Sequence, residues 1–226
     1  MRDRATWVSE RRRISEERFD TLLSLDYDEK WGAISESHRR WVNRVLGLCP
    51  PGGRLLDAAC GTGKYLGLAA RAGLAVTGTD QSAGMLGKAR AKYPDVRLEK
   101  TGLQELGYQA EFDTVMCVDA MEYVFPEHWP LVVGNLARAA RAGGYVYLTV
   151  EVVGEDERDE VYAASLAAGV PAMPGEDAGV GYHYYPPDDQ VRTWLAGAGL
   201  DILDEERADY YWHLLTRTAP ARTAAS

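Results

Sequence analysis

Positive charge is scarce in this chain. Lys and Arg number 25 against 34 Asp and Glu, for a net charge of −9. Tracking a phosphate backbone needs the opposite balance, so neither DNA nor RNA is an expected partner. The basic run Arg11–Arg13 is flanked by Glu10, Glu16 and Glu17 and reads as a solvated helix face. Cysteine is almost missing as well: Cys49, Cys60 and Cys117 are odd in number, widely spaced and outside any CxxC or Cys/His pattern. That excludes a disulfide framework and leaves no metal-binding motif, so no metal is expected. Cys60 and Cys117 sit in apolar contexts that suit small core fillers. No apolar run reaches membrane-spanning length, and no charged-then-apolar leader opens the chain. The expectation is a soluble, cytoplasmic protein with no membrane partner. Repeats and low-complexity tracts are absent beyond "APARTAAS", residues 219–226, which reads as a flexible tail.

What the chain does have is apolar substance. Of 226 residues, 46% are hydrophobic, enough for one sizeable core and one decorated domain. Residues 1–50 predict a helical cap. Trp7, Val8, Ile14, Phe19, Leu22, Leu23 and Leu25 alternate with charge at helical spacing, and a loop follows through "DYDEKWGAI". A second helix, with Ser37 as its cap, carries Trp41, Val42, Val45 and Leu46 and stops before "CPPGG".

From residue 51 to 218 the period changes. "RLLDA", "AVTGT", "VRLEK", "FDTVMCV" and "YVYLTV" are strand-like and alternate with helical or turn segments; helices are predicted at 63–72, 82–92 and 129–141. Such alternation implies α/β architecture, a parallel sheet covered on both faces. A helix at 188–198 then leads to "LDILDEER" and "YYWHLLT", which read as a hairpin at one sheet edge.

The first strand runs into Gly61-Thr62-Gly63. Tight turns of this kind use glycine so that backbone can approach a ligand. A dinucleotide fingerprint would place its third glycine where Leu66 stands, and a P-loop would need Ser or Thr after Lys64, where Tyr65 stands. Asp57 precedes the turn, where a phosphate gains nothing from a negative charge. Asp80 ends the second strand, where a carboxylate can accept both hydroxyls of a ribose. The two acids point to a nucleoside ligand with a positive charge and no phosphate. Asp80 could also serve the following helix as a cap.

The ordered series "LLDAACGTGKYL", "VTGTDQSAGMLGKAR", "LEKTGLQEL", "FDTVMCVDAMEYV" and "RAARAGGYVYLTVE", from Arg54 to Glu151, resembles the small-molecule branch of the class I S-adenosylmethionine-dependent methyltransferases. The resemblance implies a Rossmann-like fold with a seven-stranded, mostly parallel sheet of order 3-2-1-4-5-7-6 and an antiparallel last strand. It implies S-adenosylmethionine as cofactor. Carried over by position, the turn from Ala59 through Gly61 to Gly63 would lie against the methionine part. Asp57 would add negative potential, Asp80 would bind the ribose with Gln81 beside it, and Met85 would pack on the adenine. Cys117 or Val118 would offer a carbonyl to the amino group. Many relatives carry an acid where Gly102 stands here, so the adenine would turn to the Leu103 backbone and the Gln104 side chain.

Ligands in open α/β sheets gather at the carboxyl ends of the strands. The link from 151 to 187 is too long for an ordinary connection and reads as a substrate lid. It is rich in acids, with Arg158 its only Lys or Arg, which favours a neutral or amine-bearing small molecule over an anion. Tyr27 and Trp31 are candidates to close over the cofactor. Moving a methyl group to oxygen calls for a base, and histidine is the side chain suited to it near neutrality. Of four histidines, His183 in "GYHYYP" is the candidate base or substrate ligand, with Tyr182 and Tyr184 lining the pocket; a loop histidine tied into a turn before Pro186 is the competing reading. His38, Glu122 and Tyr123 are candidate substrate contacts, with Asp119 a further one. His213, inside the last strand, reads as structural, and His128 as a loop residue. The expected activity is methylation of an oxygen or nitrogen. A non-catalytic or non-methylating protein that binds the same cofactor, or a nicotinamide oxidoreductase, are the alternatives.

Overall fold

The computed structural model describes residues 3–179 and 181–221. From residue 222 on, the expected tail lies outside the described residues. The N-terminal helix α1 (Arg4–Arg18) is capped by Asp3, whose carboxylate accepts from the Thr6 amide. It continues through a π-helical turn (Phe19–Leu23) into α2 (Ser24–Trp31). The loop expected after Leu25 is therefore mostly helix, interrupted only at Asp26, where φ is −127°. Tyr27 and Trp31 sit on α2. α3 (Glu36–Leu48) is capped by Ser35 rather than Ser37. Both serines have the chemistry, but Ser37 lies inside the first turn and donates to Asp209 instead.

β1 (Arg54–Ala58) opens the sheet. The glycine turn runs on to Tyr65, so α4 (Leu66–Arg71) begins at Leu66 and not at Gly63. Then come β2 (Ala75–Asp80), α5 (Ala83–Lys92), β3 (Arg97–Lys100) and β4 (Phe112–Cys117). α6 (Trp129–Ala139) stops short of Arg141, because the chain is already in β5 (Ala140–Glu151). Gly143, at a φ of 71°, falls where the register of β5 slips against β4 rather than at the helix stop. Beyond β5 the chain leaves the sheet through α7 (Glu155–Ala167) and a two-stranded ribbon, β6 (Glu176–Asp177) with β7 (His183–Tyr184). It returns by α8 (Asp188–Gly197) to β8 (Leu200–Ala208) and β9 (Tyr211–Thr218).

The seven-stranded sheet has the order β3-β2-β1-β4-β5-β9-β8, with β9 antiparallel to both neighbours. This is the expected topology, β8 and β9 being its sixth and seventh strands. Alternation along each strand feeds two cores. Leu55, Met116, Tyr147 and Leu215 face α3 and α4 with Trp41, Val42 and Val45. Leu56, Val115, Leu148 and Leu214 face Trp129, Val132, Leu136 and Leu195 of α6 and α8. Each such fully buried side chain contributes about 1.5–3 kcal/mol by leaving water. No described helix is long and apolar enough to cross a membrane.

Polar ties hold the N-terminal helices over the strand tips. The Arg4 guanidinium pairs with Glu176, whose side chain is fully buried, and with Glu127. Asp20 accepts from the Ser82 hydroxyl at 2.6 Å and the Gly84 amide at 3.1 Å. A Cβ at Gly84 would stand 2.2 Å from the Asp20 carbonyl oxygen, so glycine there permits the approach. Asp28 accepts from Thr62 at 2.5 Å and pairs with Lys92 at 2.8 Å. The cap is latched to the glycine turn and to α5.

Candidate active site

Two connected cavities lie at the carboxyl ends of the parallel strands. The smaller, about 90 Å³, is a cleft lined by Ala59, Gly61, Asp80, Gln81, Met85, Leu103, Gln104 and the cap residues Phe19 and Tyr27. The larger is a chamber of about 540 Å³ between the cap, the strand tips and the segment after β5. Phe19, Tyr27, Asp119 and Tyr123 line both, so the two spaces meet there.

In the cleft, Ala59 adopts a φ of 60° and Gly61 one of 55°. A left-handed alanine is strained, and the turn is held by neighbours that leave it no alternative. Asp80 reaches across to that turn: its carboxylate accepts from the Gly61 amide at 2.9 Å and from the Ser82 amide at 2.8 Å. The helix cap that Asp80 could have been is Ser82, whose hydroxyl accepts from Met85. Burial pushes Asp80 up to about 6, against the two amide bonds and with the charge of Asp20 adding to it. Asp57, beneath the turn, is 1% exposed, and its Oδ2 has no hydrogen-bond partner among the described residues. Burial, then the charges of Asp80 and Asp119, raise its carboxyl well above the ordinary range. A cationic nucleoside fits this cleft on two counts. Asp57 lines neither cavity but would act on a cation through its negative potential, and the ligand would fill the space beside Gly61, where a Cβ would meet nothing within 4 Å.

Three expected contacts belong elsewhere. At Gly63 a Cβ would press on Leu66 at 3.0 Å and Tyr93 at 3.1 Å, so its glycine serves helix packing rather than the cleft. Cys117 is fully buried in the core, and neither it nor Val118 lines a cavity; Asp119 and Ala120 do, because the strand tip extends past both. Tyr184 packs its ring against Trp129 and Trp194, away from the chamber. At Gly102 a side chain would meet the Glu105 carboxylate at 2.5 Å, and that acid is paired with Arg12.

The chamber gathers most of the remaining candidates: Tyr27, Trp31, His38, Asp119, Glu122, Tyr123, Tyr182 and His183. Their settings differ. His38 is buried with both ring nitrogens engaged, Nδ1 by Ser35 at 2.9 Å and Nε2 by Asp119 at 2.7 Å. It orients Asp119 and has no free nitrogen for a substrate. Asp119 also takes bonds from Lys64 at 3.2 Å and Tyr65 at 3.0 Å. Burial raises its carboxyl, but His38 and Lys64 outweigh that and hold it below the ordinary range. Tyr182 shows part of its ring to the chamber, yet its hydroxyl donates to Glu176 and its ring packs on Phe125 and Trp7. His183 stands edge-on to Tyr123, with Nδ1 2.6 Å from Glu151 Oε2. His213 is a core residue, stacked beneath Trp41 and bonded to the Tyr147 hydroxyl.

Lys64, Tyr65, Glu151 and Tyr211 escaped the sequence reading. The signal for the last two was the hairpin: β9 pairs with β5, which sets Tyr211 opposite Glu151. The acid count after residue 151 also misled. Glu155, Asp156, Glu157, Asp159 and Glu160 are exposed on α7, and Glu176 is spent on Arg4. Cations that segment lacks reach the chamber from the cap, as Arg11, Arg18 and Lys30.

Comparison with known proteins agrees with this geometry. Residues 55–144 match a family described as a methyltransferase domain. A phosphatidylethanolamine N-methyltransferase of Cereibacter sphaeroides is 34% identical over 187 residues, 79% of this chain and 84% of that protein. A probable fatty acid methyltransferase of Mycobacterium tuberculosis is 27% identical over 74% of this chain, and the chain spans only 38% of that relative's length. Among solved structures, magnesium protoporphyrin IX methyltransferase from Synechocystis PCC 6803, with S-adenosylmethionine bound, shares the fold at a TM-score of 0.67 and 20% identity. That match covers 92% of this chain and 97% of the other. A sheet of this order, an acid-lined cleft at the glycine turn and the extended similarity to the Cereibacter enzyme have one meaning: the chain belongs to the class I S-adenosylmethionine-dependent methyltransferases.

Proposed function

We propose that this enzyme methylates an oxygen or nitrogen of a small molecule held in the chamber, with His183 as the proton acceptor. The observation that carries this reading is the shared wall of Phe19, Tyr27, Asp119 and Tyr123, through which cleft and chamber meet. Asp57, Ala59, Gly61, Asp80, Gln81, Met85, Leu103, Gln104 and Tyr27 would hold the cofactor. When bound, it supplies an electrophilic methyl group on a sulfonium. The protein's own part is to hold the acceptor at near-attack distance and keep water out. Tyr27, Tyr123 and Tyr211 supply the dry walls, and their ring faces favour a cation. Burial keeps all three phenols protonated well past neutrality. The Tyr185 hydroxyl, 3.3 Å from Nδ1, and the Glu151 carboxylate beside it engage that nitrogen of His183 and leave Nε2 as the one to face an acceptor. The cap and the segment from 151 to 187 would act as lids, admitting cofactor and acceptor from their two sides.

The three relatives named above carry acceptors as different as a phospholipid amine, a fatty acid and a magnesium porphyrin in their names, so the chamber, not the family, defines the acceptor. A metabolite screen for S-adenosylmethionine-dependent methylation tests the reading. Replacing His183→Ala is then expected to lower kcat about 10²-fold or more on an acceptor that must lose a proton, with S-adenosylhomocysteine affinity unchanged. Undiminished turnover would remove His183 from the mechanism.

A further inference from the structure

One carboxyl group in the chamber has, at its buried oxygen, neither a hydrogen-bond donor nor an ion-pair neighbour among the described residues. Glu122 lies in the 3-10 turn after β4 (Met121–Tyr123), is 3% exposed, and lines the chamber. Its Oε2 has no hydrogen-bond partner among the described residues. The other acids that line the chamber have company. Asp119 holds His38 and Lys64, and Asp209 takes the Ser37 hydroxyl. Glu151 Oε2 also lacks a hydrogen-bond partner among the described residues, but it lies 2.6 Å from His183 Nδ1, whereas Glu122 has no such neighbour among the described ion pairs. Burial raises the Glu122 carboxyl well above the ordinary range; the charges of Asp119 and Glu151 add to this, its backbone and Lys64 opposing. A buried polar group left unsatisfied destabilises the fold, so its retention at a cavity wall marks the place of a ligand's donor.

That donor is organic and cationic. Asp119 and Glu151 place negative charge near Glu122, with Arg11, Arg18, Lys30 and Lys64 elsewhere on the chamber lining, and Tyr123 and Tyr211 add aromatic faces. Among the described residues no three His, Cys, Asp or Glu side chains are grouped to hold a metal ion. We propose that Glu122 receives the amine of the methyl acceptor, and hence that the enzyme methylates nitrogen in primary or secondary amines. The inference rests on the chamber being the acceptor site.

The acceptor enters as an ammonium ion, directs one N–H to Glu122 and passes one proton to His183. Its freed lone pair forms the new N–CH₃ bond as the S–CH₃ bond breaks, and that bonding pair leaves on sulfur as a neutral thioether. The product is the methylated ammonium, with one proton released overall.

Binding, not turnover, tests this. Benzylamine and benzyl alcohol, matched in size, are titrated calorimetrically into protein saturated with S-adenosylhomocysteine. Benzylamine is expected to bind at least about tenfold more tightly, and Glu122→Gln to abolish the preference while keeping S-adenosylhomocysteine affinity. The same variant is expected to melt higher than the unmodified protein without ligand, because it removes the cost of ionising a buried carboxyl without removing volume. Equal affinities in the unmodified protein, or a preference that survives Glu122→Gln, would overturn the amine assignment alone. A bulky His183→Trp variant that binds both probes undiminished would overturn the chamber reading beneath it.

Discussion

At Gly61 a Cβ would meet no atom within 4 Å, whereas at Gly63 it would press on Leu66 and Tyr93. Both residues have positive φ, 55° and 87°, so alanine at either introduces about 1–2 kcal/mol of backbone strain. Their remaining effects diverge. Gly61→Ala is expected to cost little beyond that strain and to weaken S-adenosylhomocysteine binding at least about tenfold, since the new methyl enters the cleft. Gly63→Ala adds overpacking of about 1–3 kcal/mol and should lower the melting temperature further. Thermal melts beside calorimetric titrations of the two variants separate a ligand glycine from a packing glycine.

Among the elements, the run from α1 to α2 decides access to the cleft. Its closure depends on Asp20 at the start of α5 and on Asp28 at Thr62 and Lys92. The charge-assisted bonds of Asp20 each stabilise by about 1.5–3 kcal/mol. Asp20→Ala is expected to speed amide exchange through residues 19–31 by tenfold or more while β1 and β4 keep their protection. Unchanged exchange in that stretch would show that packing alone holds the cap. Trp7, buried against Phe125 and Tyr182, anchors the far end of α1 independently of the latch.

For the molecule as a whole, the buried ionisable groups set how stability changes with pH. Burial, followed by the charge of His38, pushes His213 down to about 4. Below an unfolded value near 6.5 the unfolded chain therefore binds more protons at this site, and stability from His213 rises with pH between about 4 and 6.5. Asp80, raised to about 6, does the reverse: the native state holds the proton longer, so stability falls as pH climbs from about 4 to 6. Asp57 and Glu122, raised well above their ordinary values, act in the same direction as Asp80. Asp119, held low, contributes fully above about pH 4 and changes nothing in that range. The unliganded enzyme is thus expected to lose stability as pH rises through the range where these three carboxyl groups ionise, as measured by denaturant titration. Saturation with S-adenosylmethionine should shrink that loss, because a cation favours the ionised acids.

By itself the sequence determined a parallel α/β sheet and a glycine turn flanked by two acids, because these depend on local pattern. Its strand order and cofactor came through the resemblance that those local motifs carry, and most residues expected at the cleft line it. Asp57 and Asp80 could be named because a single βαβ unit carries them, and Met85 because it lies in the first turn of the helix that follows. The chamber was readable only as a list of residue types. Whether His38 is free or bound to Asp119, whether Glu151 meets His183, and which acids face solvent are set by contacts between segments far apart in the chain. Gly63, Cys117 and Tyr184 lie outside both cavity linings for the same reason: glycine, cysteine and tyrosine suit a ligand or a core equally well. Only the packing of α4, the depth of β4 and the stacking on Trp129 and Trp194 decided between them, because burial belongs to the assembled fold and not to any stretch of residues.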